Sequence, residues 1–499
     1  MTNRFRTGVM LSCLLTLSPF VHAQEPDTSG MSYFKAMFTI EGSEIAAGCK
    51  MTQASGRKPI QHWVPGCLVP LFHGNKGLYG SFQNLPPGTG VALGLAFKDS
   101  ELNLGPWRIN YQIDGQGAFN GSWTAGGFLT MRLAPMKEGN STHPTAEAET
   151  DPSVPINPHK PRIRTPPIVV QGPLPKRLPD LAGNETKLLM NFYAFHTSLK
   201  QLAFFGLGED TNPADRAFFG FQETITGMNL EHPLGYGFHI MAELNGRWPS
   251  VGSDLHQSSP SIEQTYTEAT APGLAQQPGF VQLGEGIQFV QKFGGLGPNS
   301  SFGADFNIDW AANFQQFFAP SASTYTFRRL TIDSTNTVNL MKKFTPNQGS
   351  PTSEHFATLT LRGWFSESIA DAGHFVPFYF QPTIGGGDID KQRTIPSYAD
   401  YRFRAPNAMV YRAEYEQPFP KYSFIGGIFR AEAGKIANAR GNMDFSHFRH
   451  SWGTGFTIRA GNFPYVVLMY SWGGSEGTHT FADLNLSAIA PGGGPASLW

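Results

Sequence analysis

The sequence predicts an all-β fold, an antiparallel β-barrel that crosses a membrane. Three observations lead there. The first is the stretch FGADFNIDWAANFQ at 302–315. Phe302, Ala304, Phe306, Ile308, Trp310, Ala312 and Phe314 form one wholly apolar row, while Asp305, Asn307, Asp309, Asn313 and Gln315 make the other row mostly carboxylate and amide. A strand sends successive side chains to opposite faces, so this is a strand with one apolar and one polar face. It outruns the about 5–6 residues usual in soluble sheets and suits the roughly 9–11 tilted residues that cross a bilayer. Taken alone it also fits a long edge strand of a soluble sandwich. The second observation is repetition: about fifteen segments carry the same two-faced pattern, more long strands than a sandwich requires. The third is composition. Charged residues are 15%, against roughly 25% in soluble domains. Aromatics are 13%, glycines number 56 and mean hydropathy is −0.25. A barrel whose lipid and lumen faces cancel in any average has this profile. The net charge of −1 gives no basic surplus for nucleic acid.

The chain begins with an export signal over 1–23. Arg4 and Arg6 supply the positive start, 8–21 the apolar run, and Val21-His22-Ala23 the small-residue cleavage site. Cys49 and Cys67 then remain beyond the signal. An exported chain with one such pair is expected to close a disulfide in an oxidising periplasm; two buried free thiols are the alternative. Residues 24–84 mix small residues and turn formers and are expected to form a small periplasmic segment. The barrel is expected over 85–489, with a tail at 490–499.

Strands follow in series at 91–98, 107–114 and 122–133. Residues 135–183 interrupt them with eleven prolines among Lys, Arg, Glu and Thr. Proline fixes its own φ and donates nothing to a ladder, so an extended, disordered segment is expected. Falling after the third strand, it reads as an outer surface loop, the alternative being a linker between soluble domains. Strand patterns resume at 187–202, 217–230, 235–247, 280–292, 302–315, 325–340 and 355–365, with several more after Ala408. Trp248, Trp364, Trp452 and Trp472 fall near strand ends, where aromatic girdles sit, or pack inward against a folded-in loop.

From 375 onward the run FVPFYFQPTIGGGDIDKQRTIPSYADYRFRAPNAMVYRAEYEQPFP, then GGIFRAEAGKIA, resembles the bacterial surface-antigen barrels, the superfamily of the assembly factors BamA and TamA. Gly385 and Gly386 match the turn that opens a long inward loop; Tyr398, Tyr401, Arg402 and Phe403 match the loop; Glu432, Ala433, Gly434 and Lys435 match a later strand. The resemblance implies sixteen antiparallel strands, a loop over 385–406 entering the lumen, an outer-membrane location, and a role in protein insertion or translocation. Two departures matter. Where the family carries Arg-Gly in the loop, this chain has Pro396-Ser397, so Glu432 keeps the carboxylate position without its usual partner. Arg393 or Arg402 would then substitute, or Glu432 faces water. Residues 24–80 are too few for a POTRA repeat, which implies a separate periplasmic or POTRA-bearing partner.

No nucleophile elbow, zinc helix, Walker loop or dinucleotide fingerprint is present. Asp444, His447 and His450 in DFSHFRH are the nearest thing to a hydrolase cluster, and an exposed loop is the simpler reading. The expectation is a protein without enzymatic activity, cofactor or metal, in contact with outer-membrane lipid. The alternatives are a passive pore for small solutes and, less well supported, a barrel-embedded hydrolase.

Overall fold

In the computed structural model the described residues are 77–86, 91–133, 188–253, 260–295, 300–344, 352–389, 393–419, 422–460 and 463–484, all within one compact unit, Leu71–Trp499. The strands are β1 (Gly77–Asn84), β2 (Val91–Leu104), β3 (Trp107–Ala118), β4 (Trp123–Leu133), β5 (Leu188–Phe204), β6 (Ala217–Gly235), β7 (Phe238–Gly252), β8 (Phe280–Gly295), β9 (Phe302–Phe318), β10 (Phe327–Phe344) and β11 (Thr352–Ile369). Four two-residue strands follow in one connection: β12 (Thr383–Ile384), β13 (Gly386–Gly387), β14 (Arg393–Thr394) and β15 (Phe403–Arg404). The series closes with β16 (Asn407–Phe419), β17 (Tyr422–Ala437), β18 (Arg449–Ala460), β19 (Phe463–Gly474) and β20 (Gly477–Leu484). β1 to β11 and β16 to β20 form one 16-stranded sheet in sequence order, every neighbouring pair antiparallel. No helix among the described residues is long and apolar enough to cross a membrane.

The sheet is inside out by the standard of a soluble protein. On β9, Phe302, Phe306, Trp310 and Phe318 are exposed, while Asn313 and Gln315 on the opposite face are buried. Register carries that division to the neighbours. Ile332 of β10, Leu283 and Ile287 of β8, Leu244 and Trp248 of β7, and Phe456 of β18 are exposed. Asn229, Glu243, Gln282, Arg430 and Glu432 are buried on the other face. Trp248 and Trp452 face outward, whereas Trp364 packs inward against the cluster around Ile384 and Phe403.

The sheet is rolled. Arg402 contacts Thr211, between β5 and β6, and Glu476, between β19 and β20. One side chain reaches both places only if the sheet curves on itself. Among the described residues no ladder joins β1 to β20, so these two strands are the sheet's edges.

The rolled sheet has two unlike ends. At one, strands are joined by tight turns such as 105–106 and 236–237. At the other lie the longer connections 205–216, 253–279, 319–326, 370–406 and 438–448. This corrects two expectations. The segment 24–84 is not wholly separate from the barrel, since β1 occupies its last eight residues. Counting β1, the proline-rich segment follows the fourth strand, not the third, and leaves and re-enters at the end with the tight turns, where β1 also begins. That segment and the last strand residues expected beyond Leu484 lie outside the described residues.

The loop-bearing end is sealed by aromatics. Phe378, Tyr379 and Phe380, from the β11–β16 connection, pack with Phe204, Phe219, Phe280, Phe317 and Phe327 on five strands. Phe378 meets Phe204 and Phe219 edge-on at 5.0 and 5.2 Å, and Phe380 meets Phe280 at 5.1 Å. Tyr325 joins the cluster, and its hydroxyl donates to Glu268 Oε1 at 2.6 Å. Burial first, then the Glu268 carboxylate, pushes its phenol up to about 12.

Phe378→Ala should lower the unfolding free energy by about 3–5 kcal/mol in urea titration, whereas Phe119→Ala, at a site 96% exposed, should stay within about 0.5. Because the folded state holds Tyr325 protonated, the stability due to it is intact below pH 10 and declines as pH rises from 10.0 to about 12. Tyr325→Phe should remove that alkaline loss, read from unfolding midpoints across the range.

Candidate functional site

The connection between β11 and β16 turns into the rolled sheet and is held there by backbone and side-chain bonds. Thr383–Ile384 pairs with Phe403–Arg404, and Gly386–Gly387 with Arg393–Thr394. Gly385 and Gly386 start the inner hairpin with φ of 98° and 59°. A side chain at Gly386 would also strike the Asp400 backbone at 2.6 Å, so both conformation and space require glycine. Asp400 Oδ1 accepts from the Gly387 N–H at 2.6 Å, and Arg393 stands 3.5 Å from the same oxygen.

Arg402 fastens the loop. Its guanidinium donates to Glu476 at 2.5 Å, to the Thr211 hydroxyl at 2.6 Å and to the Thr211 carbonyl at 2.5 Å, and lies over Phe205 and Phe403. Only 2% of it is exposed. A planar fork is needed, because three acceptors on two elements are met at once. Arg404 is a second anchor: it donates to the Phe378 carbonyl at 2.7 Å, and its own carbonyl accepts from Gly208 at 2.8 Å. Burial pushes its guanidinium down to about 10, against the raising influence of Tyr401 and Asp388. Tyr398 packs edge-on to Phe403 at 5.1 Å, and its hydroxyl accepts from the Ser475 N–H at 3.4 Å.

Glu432 pairs with neither Arg393 nor Arg402, and it does not face water. Arg412, directly opposite on β16, donates to its Oε1 at 2.7 Å, and the loop's Ile395 N–H donates to Oε2. Arg430 stands 3.8 Å away and bonds Glu414 at 2.6 Å. Arg362 bonds Asp333 in turn. The inner wall over β10, β11, β16 and β17 is therefore a ladder of three arginines and three carboxylates. The Pro396-Ser397 position is occupied tightly: Ser397 is fully buried and its N–H donates to Ser451 Oγ at 3.0 Å. Sequence reasoning brings Gly385, Gly386, Tyr398, Arg402 and Glu432 to one region but misses Arg404, Arg412, Glu476 and Thr211. Cys49 and Cys67 lie outside the described residues.

The DFSHFRH segment has the wrong geometry for a hydrolase. The Ser446 hydroxyl donates to Asp444 at 2.6 Å, which leaves its proton unavailable to the His447 ring at 2.9 Å. In a nucleophile–base pair the proton runs to the imidazole, and the carboxylate orients that ring. Asp444 also holds Lys435 at 2.5 Å, and hydrogen bonds from Lys435 and Ser446 keep its carboxyl well below the usual range. Among the described residues no group of three or more His, Cys, Asp or Glu is placed to hold a metal.

No family model matches the chain, and no curated protein matches it. Solved structures similar to it include BamA from Haemophilus ducreyi lacking POTRA domains 1–3, with 10% identity, a TM-score of 0.45, and coverage of 81% of this chain and 68% of that one. CdiB from Acinetobacter baumannii is similar at 10% identity and a TM-score of 0.42, covering 81% of this chain and 58% of that one. CdiB from Escherichia coli gives 10% identity, a TM-score of 0.41, and coverage of 79% and 57%. Likeness at this level assigns neither a family nor a function.

Removing Arg402 leaves Glu476 without its cation and the loop without its tie. Arg402→Ala should cost ~3–5 kcal/mol, and Arg402→Lys should recover only part of it, because an ammonium lacks the fork. Unfolding midpoints and the rate of proteolytic cutting within 393–404 provide the check.

Proposed function

We infer that this chain is an integral β-barrel of the bacterial outer membrane, with a role in inserting or translocating other polypeptides. The membrane reading is carried by one observation: the exposed face of the sheet is apolar and the enclosed face is polar and charged. In hydrocarbon every backbone polar group must be paired internally, and a rolled antiparallel sheet does this while presenting side chains of either kind to either side. The export signal expected over 1–23 fits the same location.

Two features support the finer reading. β1 and β20, each eight residues long, present edges that are unpaired among the described residues. An unpaired edge is a template for adding a strand. The loop held by Arg402 and the aromatic cluster at Phe378 fill one mouth, which argues against a passive open pore. The resemblance of 375–434 to surface-antigen barrels agrees. Delivery of client chains then falls to a separate periplasmic partner.

Reconstituted full-length protein should speed the folding of an unfolded barrel client into liposomes; no gain over empty liposomes would overturn the insertion role. A steady, large conductance in planar bilayers would favour the pore instead. Topology is tested separately, on a Cys49→Ser/Cys67→Ser background. On intact cells Ser323→Cys should react with an impermeant maleimide, while Pro106→Cys and Ser153→Cys should react only after the outer membrane is opened. Labelling of Ser153→Cys on intact cells would reverse the assignment of the proline-rich segment.

A further inference from the structure

The geometry points to a binding site for a phosphate-class oxyanion on the inner wall formed by β2, β3 and β4, built by Lys98, Arg108 and Arg132. The ladders fix where these residues point. Asp114 and Gln116 of β3, and Thr124 and Thr130 of β4, are buried on the enclosed face. Arg108 and Arg132 have the same parity on their strands and stand directly opposite each other in the β3–β4 register. Lys98 stands opposite Gln112, on the same face, in the β2–β3 register. All three are toward the end with the tight turns, Arg108 one residue into β3 and Arg132 one residue from the end of β4.

Like charges directly opposite in a sheet are destabilising, and elsewhere five arginines of the enclosed side each have a carboxylate. Arg247 has Glu223, Arg362 has Asp333, Arg402 has Glu476, Arg412 has Glu432 and Arg430 has Glu414. Arg362 and Arg412 also stand opposite one another, each with its own counter-charge. Lys98, Arg108 and Arg132 differ from these five: among the described residues none of their side chains has an ion pair or hydrogen bond. The nearest acid on the same face of β3, Asp114, accepts from Gln112 at 2.6 Å. Three cations share this end of the wall without a counter-charge among the described residues, two of them forks suited to bidentate oxyanions. A ligand carrying two or three negative charges offsets most or all of the set's charge. Lipid headgroup phosphate and soluble phosphate share this chemistry. The site rests on strand register alone and does not depend on the insertion role.

Isothermal titration of full-length protein in neutral detergent with inorganic pyrophosphate tests it. Wild type should bind, with affinity falling as salt rises. Arg132→Gln should weaken binding roughly tenfold, and Arg108→Gln/Arg132→Gln further, since each charged hydrogen bond is worth about 1.5–3 kcal/mol. Arg328→Gln, at an exposed pair with Asp371 on the opposite end, should leave binding unchanged, and far-UV circular dichroism should match wild type in every variant. Parallel titration with phosphatidic acid in mixed micelles separates the sources: binding of the lipid alone, lost in Arg132→Gln, identifies a headgroup site. Failure of both probes to bind wild type, equal binding by the double variant, or an equal loss in Arg328→Gln would overturn the proposal.

Discussion

Arg402 can be satisfied only when the sheet is rolled. Its acceptors belong to connections that the linear strand order sets far apart, and its aromatic neighbours leave it no water. A buried guanidinium without acceptors is costly. The curvature of the sheet, the seating of the inward loop and the position of the last hairpin are therefore one condition. Arg404 repeats the arrangement at the other side of the loop, where it ties the aromatic Phe378 segment to the β5–β6 connection.

Across β6–β7 and β16–β17 the enclosed wall answers its own charge. Arg247 with Glu223, Arg412 with Glu432 and Arg430 with Glu414 join adjacent strands. A strand slipped by one residue would present these groups to the exposed apolar face and separate them from their partners. Polar side chains thus do inside this protein what a greasy core does in a soluble one: they make one register far better than its neighbours. The largest greasy cluster gathers at one mouth, where a loop has to be packed.

Much of this is legible in the sequence, because period-two alternation is a local property. β9 is readable from its own residues. β1, GLYGSFQN, is not: glycines at Gly77 and Gly80 interrupt its rows, and eight residues give little pattern. That single short strand changes the count by one and moves the proline-rich segment to the other end. The Glu432–Arg412 pair is hidden for a different reason. Phe419 pairs with Tyr422, and unbroken pairing from there would set Arg412 opposite Phe429; the irregularity at Pro418/Phe419 sets it opposite Glu432 instead. The Arg402 contacts span 74 and 191 residues and exist only once the sheet has curled. Local pattern reports which side of a strand is wet; it does not report which distant turn will arrive beside it.

The inward loop grips the trailing edge of the sheet. Tyr398 meets Ser475, Arg402 meets Glu476, and Arg393 lies over Phe481 at 4.3 Å, all on the β19–β20 hairpin. That hairpin is thus like a doorpost set in masonry. The trailing hairpin moves only as fast as the loop lets go.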